Sequence, residues 1–456
     1  MPIMNKSLFS EFEPVSAKAF KQKIQYDLSG ADYNETLLWS SPEGIHVKPF
    51  YHQEDTQPVN IPGHPQNWSI LEEVYILNAK SAALHASSLL DKGVEALSFK
   101  ADAKFNIEDL LNHLPKKKLT LYFSFSFLDP DFIKSLSIQT LEMGYNSHFN
   151  VDIISNLAHS GNWYTDLKSD HKALENILLN THNDNVIGVD MSLFHNAGAN
   201  CIQELAYALA QTNEYYTYHS ENLRSQTINY KVAIGSNYFF EIAKIRALRL
   251  LHATLAEAYG LNENCHIIAQ PATRNKVLYD YNTNMLRTTT ECMSAILGGA
   301  DAICNLAYDS IYHKSNEFGQ RIARNQLLLL KHESYFDLVS NPADGTYYIE
   351  TLTKQFAEKA LDLFKEIEAG DGFISQLIAG KIQKKVKATA LKEQEAFNEG
   401  KKVLVGTNTY INSEDRMKED LELYPFLKMN PRKTLIEPII QKRLAEEVEQ
   451  KRLQDE

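Results

Sequence analysis

The chain is poor in the residues that build covalently or metal-stapled scaffolds. Its four cysteines, Cys201, Cys265, Cys292 and Cys304, are widely spaced, form no C-x-x-C and sit in apolar-periodic segments. Such thiols read as buried and reduced, not as bridges or ligands. The 15 histidines are scattered, without H-E-x-x-H or H-x-H, so no metal site is expected. Glycines number only 19, and neither a G-x-x-x-x-G-K-S/T phosphate loop nor a G-x-G-x-x-G turn after the first strand is present. No apolar run approaches the roughly 18 residues that cross a bilayer. The densest, "LLLL" at 327–330, is bracketed by Gln326 and Lys331. The opening "MPIMNKSLFSEFEPVS" has no apolar core and no small-residue cleavage site, which makes the cytoplasm the expected location. Positive charge is also short: the formal net charge is −12, without a basic stripe in either half. That balance argues against nucleic acid or an anionic membrane as partner.

What is present is alternation. Runs rich in Val, Ile, Leu or aromatics recur at 94–101, 119–125, 151–156, 186–192, 228–235, 265–270 and 301–308. Helical patterns lie between them, among others at 197–212, 238–259, 283–298 and 318–332. Repeated strand-then-helix order implies a parallel sheet, because parallel neighbours need a crossover. Seven or eight such units over about 300 residues fit a (β/α)8 barrel, the TIM-barrel class, better than an open sheet. Residues 1–68 read as an N-terminal arm, 69–400 as the barrel and 401–456 as a C-terminal linker and helix. In the arm, Phe20, Ile24 and Leu28 share one face of a short helix that "GAD" ends, and three prolines follow in "QPVNIPGHPQNW". In the C-terminal segment, Ile440, Leu444 and Val448 form one stripe of a charged helix.

In a barrel the chemistry sits where strands end, so the corner in "VIGVDMSLFHNAGANCIQELAYALA" (186–210) is the first place to look. Asp190 and His195 flank it and could act as a general base and its orienter. The structural alternative is stronger: Asp and Asn cap helices at such corners, and histidines there often end in a satisfied hydrogen bond. Ile187, Val189 and Met191 share one face of the strand and are large enough to fill a barrel centre. Further on, Met285, Thr289, Met293 and Leu297 line one helix face that Gly298 and Gly299 stop, and Arg287 and Glu291 are spaced to pair across one turn. Arg321 and Arg324 could hold a phosphate, or be the charged face of an amphipathic helix.

Several stretches together resemble one family. "QKIQYDLSGADYNETLLWSSPEGIHVKPFY", "NAGANCIQELAYALA", "YFFEIAKIRALRLLHA", "YDYNTNMLRTTTECMSAILGGADAI", "FGQRIARNQLLLLKHES" and "NPADGTYYIETLTKQFAEKA" are similar to the adenosylcobalamin-dependent acyl-CoA mutases and occur in that family's order. The resemblance implies a (β/α)8 barrel whose N-terminal arm, around Phe20, Trp39 and Phe50, reaches a second subunit. It also exposes departures. Catalytic members carry Tyr-His before Glu-Ala-Gly at the corner; here those positions are Ser192 and Leu193, and the Glu is Asn196. Leucine neither donates a hydrogen bond nor moves a proton. The family's Arg-Pro-Trp-Thr-Ile-Arg-Gln-Tyr run is replaced by "PGHPQNWSILEEVY", and its second arginine stretch by "CHIIAQPATRN". The D-x-H-x-x-G motif of the cobalamin-binding domain is missing, since "SDHKAL" has the wrong spacing, and no cobalamin-binding domain is expected. What the resemblance implies is the small subunit of a heterodimeric member, without catalytic, cofactor or metal residues of its own. Adenosylcobalamin would then be bound by the large, alpha-type partner, which would also set the acyl-CoA specificity, methylmalonyl-CoA or a related group. The rival reading is an independent barrel enzyme using Asp190 and His195.

Overall fold

In the computed structural model, residues 9–55, 57–181, 185–428 and 431–456 are described. The first eight residues of the opening segment lie outside them. Eight parallel strands form one sheet: β1 (Ser69–Tyr75), β2 (Ala96–Ala101), β3 (Thr120–Phe125), β4 (Asn146–His148), β5 (Gly188–Asp190), β6 (Asn229–Ile234), β7 (His266–Pro271) and β8 (Ala302–Cys304). Their order is β4-β3-β2-β1-β8-β7-β6-β5. The ends join through a parallel bridge between Val151 and Ile187, so the sheet closes into a (β/α)8 barrel. At this seam Asn150 takes a positive φ of 42°. Opposite it stands Gly188, where a Cβ would lie 2.9 Å from the Asn150 Cα. Only glycine lets the two backbones approach this closely.

Two expectations about strands need correction. "VDIISN" is not a strand: Asp152 caps the helix Ile153–Ser160 by accepting from the Ser155 amide, and the strand lies earlier, at Asn146–His148. Two β-branched isoleucines there face the core from a helix, where burial outweighs their strand preference. The first strand, Ser69–Tyr75, was absent from the strand candidates because "SILEEVY" carries two adjacent glutamates.

Strand phase is set by the pairing. Gly188 pairs with Asn229, and Asp190 with Lys231. Ile187, Val189 and Met191 therefore point outward and join the main apolar core with the helices. They do not fill the barrel centre, contrary to the reading of the sequence. The other strands keep the same phase: Leu97, Phe99, Leu121, Phe123, Tyr230 and Val232 pack outward. Alternation of two puts their neighbours inside.

The helical layer is fixed by local chemistry. Cys201–His219 starts with a reciprocal capping box of Asn200 and Gln203. Tyr238–Tyr259 ends at Gly260, whose φ of 65° suits glycine. Helix Tyr347–Ala369 lies across both. All four cysteines are buried and free. Among the described residues no helix is long and apolar enough to cross a membrane.

The N-terminal segment holds helix Ala17–Asp27, none of whose residues is buried, helix Tyr33–Leu37 and a ribbon of Trp39–Ser40 with His46–Val47. Ile45 anchors it in the core. At the other end of the chain, the segment after helix Lys381–Asn398 straps the carboxyl-terminal end of the barrel. Its amides at Leu435 and Ile436 donate to Gly161 O, Ile439 to Ala158 O, Lys442 to Asn196 O and Leu444 to Arg274 O. The expected apolar stripe is only partly realised. The final helix is Glu446–Asp455; Leu444 is buried just before it, whereas Ile440 and Val448 are largely exposed.

Glu393 pins helix Lys381–Asn398 to this end of the barrel through Arg274, at 2.6 Å, and Lys402. Burial opposes its charge, but Lys402 and Arg274 outweigh that and hold its carboxyl at about 2. A carboxyl lowered in the folded state adds stability above its unfolded pKa and loses it as pH falls toward the folded one. Glu393→Gln is expected to lower unfolding free energy by about 1.5–3 kcal/mol at pH 7. Urea titrations at several pH values should show that difference shrinking between pH 5 and 3.

Candidate functional site

The corner after β5 is built around Asp190. Its carboxylate accepts from the Ser192 amide at 3.0 Å and from the Ser192 hydroxyl. Its own amide donates to Asp152 at 2.8 Å, and the Lys231 ammonium lies 3.9 Å away. Leu193 is 2% exposed, inside the apolar core. His195 turns elsewhere. Its Nδ1 contacts Glu204 at 2.8 Å, and its ring edge rests on Gly235, where a Cβ would lie 2.9 Å from Cε1. Asn196 Oδ1 accepts from the amides of Thr273 and Arg274. Asp190 and His195 thus have separate partners and do not form a base with its orienter.

Behind the corner is a buried charge network. The Lys244 ammonium, with no exposed side-chain surface, contacts Glu204 at 2.9 Å and Glu241 at 2.7 Å and donates to Ala233 O at 2.8 Å. Burial disfavours the ammonium, but Glu204 and Glu241 outweigh it and keep the pKa raised. Glu204 is likewise held below its ordinary value: burial opposes its charge, and His195 and Lys244 prevail. Sequence reading missed this network. The available signal was a Glu–Lys pair three apart, Glu241 and Lys244, at the start of a largely apolar helix.

A second buried pair overturns the expected helix-surface one. Glu291 contacts Lys276 at 2.8 and 2.9 Å and accepts from Asn275 at 2.7 Å. Arg287 instead donates to Thr283, Asn284 and Val405 O. A full ammonium delivered by the loop after β7 outcompetes a neighbour on the same helix. Arg324 is taken by Glu72 at 2.9 Å, and Arg321 lies over the Phe318 ring. These two arginines are occupied within the chain, leaving the phosphate alternative without support.

Inside the barrel a floor separates two halves. Tyr122, His148 and His266 stack with centroids 4.4 to 5.6 Å apart. The Tyr122 hydroxyl meets His266 Nε2 at 2.9 Å, and His148 Nδ1 meets Asn229 Oδ1 at 2.8 Å. Burial, with His266 adding to it, holds His148 down at about 3, so both its nitrogens serve as neutral partners. Inward-facing Leu71, Ile268, Ala302 and Cys304 pack with Tyr122 in a buried cluster, whereas the inward Asp190 and Lys231 side chains are 37% and 40% exposed. Asp190, ahead of the opposing effect of burial, keeps the Lys231 pKa raised. The barrel centre is closed by this aromatic floor and not by the aliphatic face of β5. Tyr122, Asn229 and His266 stand at alternate positions of strands read only for their apolar content, and His148 lies in a strand that was not among the candidates, so they were overlooked.

Removing the cation of the corner network isolates two buried carboxylates. Lys244→Met is expected to destabilise the fold by about 3–5 kcal/mol. Adding Glu204→Gln and Glu241→Gln should recover much of that, as read by chemical denaturation.

The methylmalonyl-CoA mutase family model matches residues 143–454. A methylmalonyl-CoA mutase small subunit from Porphyromonas gingivalis is 33% identical over 447 residues, covering 89% of this chain and 71% of that protein. A second small subunit, from Streptomyces virginiae, is 34% identical over 231 residues, covering 49% of this chain and 37% of that one. The methylmalonyl-CoA mutase of Rhizobium meliloti is 25% identical over 437 residues, with 82% of this chain matched to 61% of its length. The chain therefore spans under two thirds of some of these relatives. With the barrel, the family's segments in order and this degree of identity, the chain belongs to the methylmalonyl-CoA mutase family.

Proposed function

We propose that the chain is the small, non-catalytic subunit of a heterodimeric methylmalonyl-CoA mutase. Its large subunit binds adenosylcobalamin and carries out the radical 1,2-rearrangement between methylmalonyl-CoA and succinyl-CoA. This chain holds that subunit in position by covering a large surface of it. The observation that carries the reading is the corner: Ser192 and Leu193 stand where catalytic members carry Tyr-His. Ser192 is bound to Asp190, and Leu193 is packed in the core. The aromatic floor supports it, since the stacked Tyr122 and His148, 2% and 4% exposed, stand in the barrel interior that a pantetheine arm would need open.

The residues of this chain do not fit cobalamin by the family's route. The D-x-H-x-x-G motif is absent. At the barrel mouth His195 and His313 are engaged with Glu204 and Asp309. No step of the rearrangement is therefore assigned to these residues. An independent enzyme built on Asp190 and His195 gains no support from two side chains with separate partners.

The arm is the proposed contact with the large subunit. Phe20 and Trp39 are 47% and 48% exposed although each already touches one ring of the chain, Phe50 at 4.8 Å and Phe240 at 5.5 Å. Phe12 and Tyr26, at 73% and 80%, extend the same apolar display. Helices without a buried residue gain their stability from packing on something else. Obligate interfaces commonly bury about 2,000–5,000 Å² and use such aromatic anchors.

The protein purified alone is expected neither to isomerise methylmalonyl-CoA nor to bind adenosylcobalamin. Activity should appear when it is mixed with a large subunit; turnover by the isolated chain refutes the proposal. Phe20→Asp and Trp39→Asp should each weaken that association at least about tenfold, the effect of losing an anchor of roughly 1.4 kcal/mol or more. Sedimentation measures the association, and circular dichroism should show the fold of each variant intact.

A further inference from the structure

The barrel seam joins β4 to β5, and the chain passes from one to the other through a helical segment. Helix Leu167–Asn180, within it, meets the end of helix Cys201–His219 through two imidazoles. His171 Nδ1 and His219 Nε2 are 3.0 Å apart, and the residues are 6% and 5% exposed. Tyr218 stacks on His171 with centroids 4.0 Å apart, and Trp163 closes a further side at 6.3 Å. His171 Nε2 is buried without a hydrogen-bond partner.

This contact works with one shared proton only. One facing nitrogen carries the proton and the other accepts it, a requirement that two neutral imidazoles meet. A second proton on a facing nitrogen sets two N–H groups against each other, and a proton on His171 Nε2 finds no acceptor. The nearby carboxylates are engaged elsewhere or exposed. Asp170, beside His171, accepts from the Tyr164 and Thr165 amides. Glu175, one turn along the same helix, acts on His219 from an exposed position. Lys172, Glu221 and Arg224 are exposed too. Burial holds His171 down at about 4, with His219 adding to it, and burial also lowers His219.

We propose that His171 and His219 form an acid-released latch over the β4–β5 seam. Protonating the pair frees helix Leu167–Asn180 and loosens the barrel where Val151 and Ile187 join its edges. The sign follows from linkage: a base whose folded pKa is depressed gives full stability above its unfolded value, near 6.5. That stability is lost as pH falls from there toward the folded value, about 4 for His171.

Hydrogen–deuterium exchange of the full chain at pH 7.5 and 5.5, corrected for intrinsic rates, tests this. Opening of 167–180 and 186–190 should rise about tenfold for each histidine held neutral. Segment 317–328 serves as reference, because the other buried histidines, His148 and His252, weaken the whole barrel together. The double variant His171→Phe, His219→Gln should remove the local excess. A response equal in all segments, or a local excess that survives in the double variant, overturns the proposal. Should that variant not fold, histidine C2–H exchange on the unaltered chain decides. Midpoints well below 6.5 for both residues support the latch, and a midpoint near 6.5 for either one overturns it.

Discussion

The corner that would carry chemistry in this family is held in place by one buried ammonium. Lys244 sits on helix Tyr238–Tyr259, reaches Glu204 on the helix after β5, and binds a carbonyl of β6. Through Glu204 it also fixes His195. The same helix takes Arg246 to Glu350, Arg249 to Asp301 and His252 to Tyr230, all from buried positions. An unpaired charge in such surroundings is expensive, so each contact admits few alternatives. This helix sets the spacing of the layers around it, and with them the position of every strand end nearby.

Much of this was legible in the sequence, and the failures share a cause. Strand and helix alternation is written in periodicity, and β2, β3, β6 and β7 fall within a residue or two of their apolar runs. Periodicity does not say which of two faces looks inward. For β5 the aliphatic residues suggested a filled centre, yet pairing with β6 sends them outward. Ion pairs were harder still. Glu291 finds Lys276 in the loop that precedes its helix, a contact that spacing along a helix cannot reveal. The departures from the family pattern at Ser192 and Leu193, by contrast, could be read directly, because they concern identity and not geometry.

The proposed division of labour between two chains matches how the molecule distributes its order. The interior is dense with satisfied polar contacts, and the strap crosses the barrel mouth with backbone hydrogen bonds. The arm shows Phe12, Phe20, Tyr26 and Trp39 to solvent, among other exposed apolar side chains of the chain. A scaffold of this kind keeps the rigidity of a catalytic barrel while exposing the part that a neighbour would cover.

The aromatic floor also constrains which substitutions the barrel interior accepts. Replacing Tyr122 alone leaves His266 Nε2 without its partner, and replacing His148 alone strands Asn229 Oδ1. Each single change toward a through-passage leaves a polar atom wanting before any passage exists. Opening a through-passage therefore requires several substitutions together.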